Sequence, residues 1–143
     1  MWVDRPREIT VRTTIALLLF SLLVSALSAS ARPLELGHRA PSLSVKRWVR
    51  GEAVDPSAAD GKTICVVTFL ATWSEPCRRA APRLNKLQER FAARSVVFVL
   101  VSREDPSDLD DYAAKAKLRC RVAADRGERS HALYMQGVRG IPY

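Results

Sequence analysis

Apolar runs alternate with amphipathic stretches through the last two thirds of the chain. Thr63–Leu70 and Ser95–Val101 are apolar without alternation, the pattern of strands covered on both faces. Arg119–Ala124 is a third, shorter strand. Between the first two, Glu75–Ala93 sets Leu84, Leu87 and Phe91 at helical spacing among Arg83, Lys86, Gln88, Glu89 and Arg90. Pro82 inside this segment predicts a kink, because proline removes a backbone hydrogen bond and crowds the preceding turn. Asp105-Pro106-Ser107 starts a short helix over Asp108–Lys117, with acids leading and lysines closing. A turn at Asp125-Arg126-Gly127 precedes a further helix, Glu128–Gln136. Strand and helix alternate, so the pattern predicts an α/β domain with a parallel sheet and right-handed crossovers. Ahead of it, Ser42–Trp48 alternates loosely. After a turn at Arg50-Gly51, Glu52–Val54 is expected to return as the second arm of a small hairpin.

The first residues follow different rules. Met1–Arg12 carries Arg5, Arg7 and Arg12, and Thr13–Ala31 contains no charged residue. Its apolar centre, Ile15–Leu27, ends in the small residues Ala29-Ser30-Ala31. A basic start, an apolar middle and a small-x-small site make a secretory signal peptide over 1–31, with cleavage after Ala31. The alternative is an uncut anchor at residues 13–31, in which case the protein is held at the membrane. The chain then divides into an amino-terminal extension, 32–60, and a domain at 61–143. An extracytoplasmic or periplasmic location follows. The formal charge of +8 is scattered among acids and forms no run, which with the export signal excludes a nucleic-acid partner. Three cysteines leave an odd thiol in an oxidising compartment, whatever pairs form.

The junction Val66–Arg79, reading VVTFLATWSEPCRR, carries the chemistry. An apolar strand breaks off at Ala71-Thr72-Trp73 and a helix starts at Ser74-Glu75-Pro76-Cys77. Unpaired backbone N–H groups and the positive helix end favour an anion at Cys77. Its thiol is therefore expected to titrate below the free-cysteine value of about 8.5. Arg78 and Arg79 act in the same direction and Glu75 against them. Ser74 is placed to cap the helix through its hydroxyl, or to donate to the Cys77 thiolate.

FLATWSEPCRRAAPRLNKL resembles the active-site segment of the thioredoxin superfamily, in its exported TlpA-type and redoxin-like (AhpC/TSA-like) branch. That pattern is an apolar strand, then A-T-W-C-x-P-C, then a helix with a proline five residues after the second cysteine. Ala71, Thr72, Trp73, Pro76, Cys77 and Pro82 occupy its positions, and Ser74 stands where the family has its attacking cysteine. Leu36-Gly37-His38-Arg39-Ala40-Pro41 resembles the G-x-x-A-P opening of redoxin-type domains, and Gly61-Lys62 resembles their G-K before the first core strand. The resemblance implies a thioredoxin-like fold with an amino-terminal extension and a helix–strand insertion at Ser107–Ala124. Family members continue beyond the position of Pro142 with two antiparallel strands and a helix. The carboxyl-terminal part of the sheet is therefore expected to be missing, which would expose the central strand as an edge.

The resemblance also implies an exported thiol–disulfide oxidoreductase acting on protein thiols or disulfides. Cys77 and Ser74 are its catalytic positions, and Trp73, Pro76 and Pro142 flank the substrate. No metal and no cofactor is expected. Two other readings stay open. One is a redox-silent module that holds an extended peptide between Trp73 and Pro142. The other is a one-cysteine peroxidase acting on a small peroxide. The peroxiredoxin pattern P-x-x-x-[ST]-x-x-C aligns with Ser74 and Cys77, but Leu70 stands where it requires proline. Cys65 and Cys120 sit early in their strands, roughly 17 Å from the site end at about 3.3 Å per residue, and read as core cysteines. His38 and His131 have no spacing that suggests a metal or a Cys–His pair.

Overall fold

A computed structural model describes residues 34–58 and 60–143. The expectations for Met1–Ala31, signal and anchor alike, lie outside the described residues. Among the described residues there are four strands: β1 (Val45–Arg50), β2 (Ile64–Phe69), β3 (Val96–Ser102) and β4 (Arg121–Asp125). They join three α-helices, α1 (Glu75–Phe91), α2 (Pro106–Lys115) and α3 (Arg129–Tyr134), and a short 3-10 turn at Pro56–Ala58. No helix among the described residues is long and apolar enough to cross a membrane.

The sheet order is β1-β4-β3-β2. β2, β3 and β4 run parallel, in the register Cys65↔Val97, Phe69↔Val101 and Val101↔Ala123. Alternation along β3 sends its side chains to two cores. Phe98 and Leu100 join Leu109 and Ala113 of α2, and Cys77 and Ala81 of α1, on one face. Val99 and Val101 join Phe69, Met135 and the half-buried Trp48 and Tyr134 on the other. Both faces are covered, which is why the β3 sequence VVFVLVS shows no polar alternation.

The expected hairpin between Ser42–Trp48 and Glu52–Val54 does not form. β1 pairs antiparallel with β4 instead, Val45 opposite Asp125 and Trp48 opposite Ala123, so the sheet is mixed. Gly51 explains the exit of the chain. Its φ of +75° is a left-handed turn, and a Cβ there would lie 2.8 Å from Cγ of Arg121. The segment after it forms no strand, and Val54 packs into the second core rather than pairing. The helix expected to kink at Pro82 runs on to Phe91.

β2 is the last strand of the sheet on its side. At its end, Phe69 and Tyr143 exchange backbone hydrogen bonds, N to O at 2.7 and 3.2 Å.

Candidate functional site

The carboxyl ends of β2 and β3 carry the site. Leu70 donates its N–H to the Val101 carbonyl at 3.0 Å, the last bond of the sheet on that side. One residue on, the Ala71 N–H points at Sγ of Cys77, 3.5 Å away. The Ser74 N–H donates to the Ala71 carbonyl at 3.1 Å, and the Ser74 carbonyl accepts the Arg78 N–H at 3.0 Å. The loop thus folds back over the first turn of α1. Cys77 lies beneath it with 1% of its surface exposed.

Ser74 occupies the N-cap position with the extended backbone that position needs (φ −79°, ψ 118°), yet its side chain makes no cap hydrogen bond. The expected hydroxyl cap fails for a local reason. A cap accepts from the second or third helical residue; the second is Pro76, which has no N–H to give, and the Ser74 hydroxyl makes no bond to the N–H of the third, Cys77. The serine is buried all the same, at 7% exposure.

Two charged side chains hold the loop instead. The Glu104 carboxylate, just beyond β3, accepts the Thr72 N–H at 2.7 Å, the Thr72 hydroxyl at 2.5 Å and the Ser102 hydroxyl at 2.9 Å. From the opposite side Arg78 donates to the carbonyls of Thr72 and Trp73, at 3.1 and 2.8 Å, and binds Glu75 through two nitrogens. The hydrogen bonds and charge of Arg78, with a smaller contribution from Arg79, hold the exposed Glu75 carboxyl below the ordinary carboxylate range. Arg78 therefore serves the loop backbone, a role its expected influence on Cys77 did not anticipate.

A cavity of about 200 Å3 opens beside this loop, lined on its apolar side by Leu70, Ala71, Trp73 and Ile141. Its polar wall holds Glu104, His131 and the Arg103–Glu128 ion pair, 3.1 Å long. Trp73 is exposed, at 68%. The Ile141–Pro142 peptide is cis. Ile141, not Pro142, lines the cavity, and Pro142 and Pro76 both face solvent. His131 packs edge-on against Phe69. Burial, and then the Arg103 guanidinium, push its pKa below the ordinary histidine value.

Cys65 and Cys120 stand apart from this site, and all three thiols are free. Burial raises both, Cys120 to about 11. Cys120 lies just before β4 in the core of the α1–α2 face, and β4 is an inner strand rather than an edge. His38 is exposed. Among the described residues no group of three His, Cys, Asp or Glu side chains could hold a metal.

Glu104 and His131 are residues of this site that the sequence pattern did not single out for it, and Thr72 was a motif position with no partner assigned. For Glu104 the available signal was a carboxylate directly after a buried parallel strand, at the end where the α1 segment begins. Nothing in spacing alone ties it to Thr72, which is thirty-two residues away.

The AhpC/TSA family profile matches residues 36–139. The thiol-disulfide oxidoreductase ResA of Bacillus thuringiensis is 24% identical over 115 residues, covering 80% of this chain and 64% of that protein. A crystal structure of a thiol:disulfide interchange protein of the thioredoxin family from Chlorobium tepidum superposes with a TM-score of 0.60 at 28% identity. It covers 80% of this chain and 77% of the other. The thioredoxin domain of a thiol-disulfide oxidoreductase from Bacteroides vulgatus gives a TM-score of 0.61 at 19% identity, over 76% and 78% of the two chains, a likeness of fold. Across the first three curated relatives this chain spans 35% to 64% of their lengths.

Proposed function

We propose that this chain, which belongs to the AhpC/TSA family, is an exported thiol–disulfide oxidoreductase with a one-sulfur site, Cys77 being the thiol and Ser74 standing in place of its partner. The observation that supports this reading best is the setting of Cys77. It sits in the first turn of α1, under the Ala71 N–H, at the end of two parallel strands. The N–H directed at sulfur and the helix amino terminus bring the polar groups of this junction together on the one atom there that can exchange.

The chemistry is exchange. The Cys77 thiolate attacks one sulfur of a protein disulfide; a bond from Cys77 to that sulfur forms as the substrate S–S bond breaks, and the other sulfur leaves as a thiolate. A second thiol, from the same substrate or a small-molecule thiol, then attacks the mixed disulfide and returns Cys77. The new disulfide stays with that thiol, so the cycle shuffles disulfides with no net electron transfer. Ser74 cannot perform the second attack, since its hydroxyl does not ionise near neutral pH. Trp73 on the cavity rim, with the exposed Pro76 and Pro142, would contact the substrate chain. Export rests on residues 1–31 read as a signal peptide; a mature amino terminus at Arg32 tests it directly.

A second reading has its own support. The cavity between Trp73 and Ile141 could hold an extended peptide without any sulfur exchange. Exchange between a peptide disulfide and a thiol, followed for the wild type and for C77S, separates the two. Loss of exchange in C77S with peptide binding intact supports the oxidoreductase. Equal behaviour of both proteins supports the binding module.

A further inference from the structure

Cys77 must meet a disulfide, yet it is 1% exposed beneath the loop Ala71–Ser74. Something holds that loop shut, and the hydrogen bonds say what. Glu104 takes both donors that Thr72 offers, its N–H at 2.7 Å and its hydroxyl at 2.5 Å. The carboxylate is itself fixed by the Ser102 hydroxyl at 2.9 Å, and the Glu104 N–H turns back to that hydroxyl at 3.3 Å. Ser102 is the last residue of β3 and is 3% exposed, so the anchor belongs to the rigid core of the sheet. Thr72 is the residue between Ala71, whose N–H lies on Cys77, and Trp73, which forms the cavity rim. A charge-assisted bond at that point fixes the loop where it covers sulfur.

We propose that Glu104 is a positioning residue, a latch that holds Thr72 and with it the Ala71–Ser74 loop closed over Cys77, and whose release admits the substrate disulfide. This rests on the reading of Cys77 as the site thiol. The latch is local. It joins the end of β3 to one loop, Ala71–Ser74, none of whose residues belongs to either core. Opening it should therefore expose Cys77 without exposing Cys120, which is buried to the same degree, at 2%. Cys120 is thus an internal control, because general loosening of the fold would expose both.

The test is alkylation of the full chain near neutral pH, followed at each cysteine by peptide mass spectrometry, for the wild type, E104Q, T72V and T72S. Losing a hydrogen bond to an ionised group shifts a local opening equilibrium by about tenfold or more. Cys77 labelling in E104Q is expected to accelerate about tenfold, with Cys120 unchanged. T72V keeps the Glu104 charge and loses only the hydroxyl, so acceleration there shows that the bond matters and not the nearby charge. T72S retains both donors and is expected to restore the wild-type rate. Parallel acceleration at Cys77 and Cys120, or no acceleration in T72V, overturns the latch. If E104Q fails to fold, T72V against T72S decides alone. If Cys77 forms no mixed disulfide in the wild type, the functional reading fails. Amide exchange at Thr72, expected to be faster in E104Q and T72V than in the wild type, then judges the latch by itself.

Discussion

Sγ of Cys77 accepts the N–H of Ala71, six residues earlier, at 3.5 Å. A strand that ends and a helix that begins are brought back onto each other at this contact, and the sulfur is enclosed by it. Placing a sulfur at position 74 gives the first prediction. In S74C the new side chain lies at the N-cap, one turn from Cys77, so air oxidation should remove two free thiols. With a thiol reductant supplied, the variant should gain reduction of insulin disulfides over the wild type. Retention of three titratable thiols plus the new one after oxidation would show that this site does not hold dithiol geometry.

A second prediction concerns pH. The folded pKa of His131 lies below its ordinary value of about 6.5, first through burial and then through Arg103. Below pH 6.5 the unfolded chain therefore binds a proton that the folded chain still refuses. Its contribution to stability is complete above 6.5 and is lost as pH falls toward the folded value. The melting temperature should fall on going from pH 7.5 to 5.5, and H131F should flatten that slope. An unchanged slope in H131F would assign it to other groups.

The third prediction is structural. Glu128, at the N-cap of α3, has left-handed backbone (φ 61°) and makes no side-chain cap. Asp125 does the capping from the end of β4. Its two oxygens accept the N–H groups of Ser130 and His131 at 3.0 and 2.8 Å. Because Asp125 is only 5% exposed, D125A should cost about 1–3 kcal/mol in denaturant unfolding. A change below a few tenths of a kcal/mol would mean that water replaces the carboxylate.

The general architecture was legible because burial leaves a plain signature. The β3 sequence VVFVLVS could only be a strand covered twice, and Leu84 and Phe91 could only face a sheet. The pairing of β1 was not legible. Loose alternation shows that a strand has two faces and does not show whose edge it joins; the free edge of β4 and the turn at Gly51 decided that. The site divides in the same way. Cys77 and Trp73 are set by local sequence at a strand–helix junction. Glu104 reaches Thr72 only because β2 and β3 lie side by side in register, and such a contact exists only in three dimensions.

A fourth prediction separates the two remaining thiols. Cys65 is half-buried, whereas Cys120 is fully enclosed and pushed up to about 11. Iodoacetamide at pH 8 should label Cys65 well before Cys120 in the native protein, and the difference should vanish in denaturant. Equal native rates would mean that the α1–α2 face opens readily.

The central claim is that Cys77 is the exchanging sulfur. Incubating the native full chain with a peptide disulfide, quenching with acid and mapping the mixed disulfide by mass spectrometry tests it most directly. The account predicts an adduct on Cys77 that forms faster than any on Cys65 and is absent in C77S. Adducts confined to Cys65, with Cys77 recovered as free thiol, would contradict it.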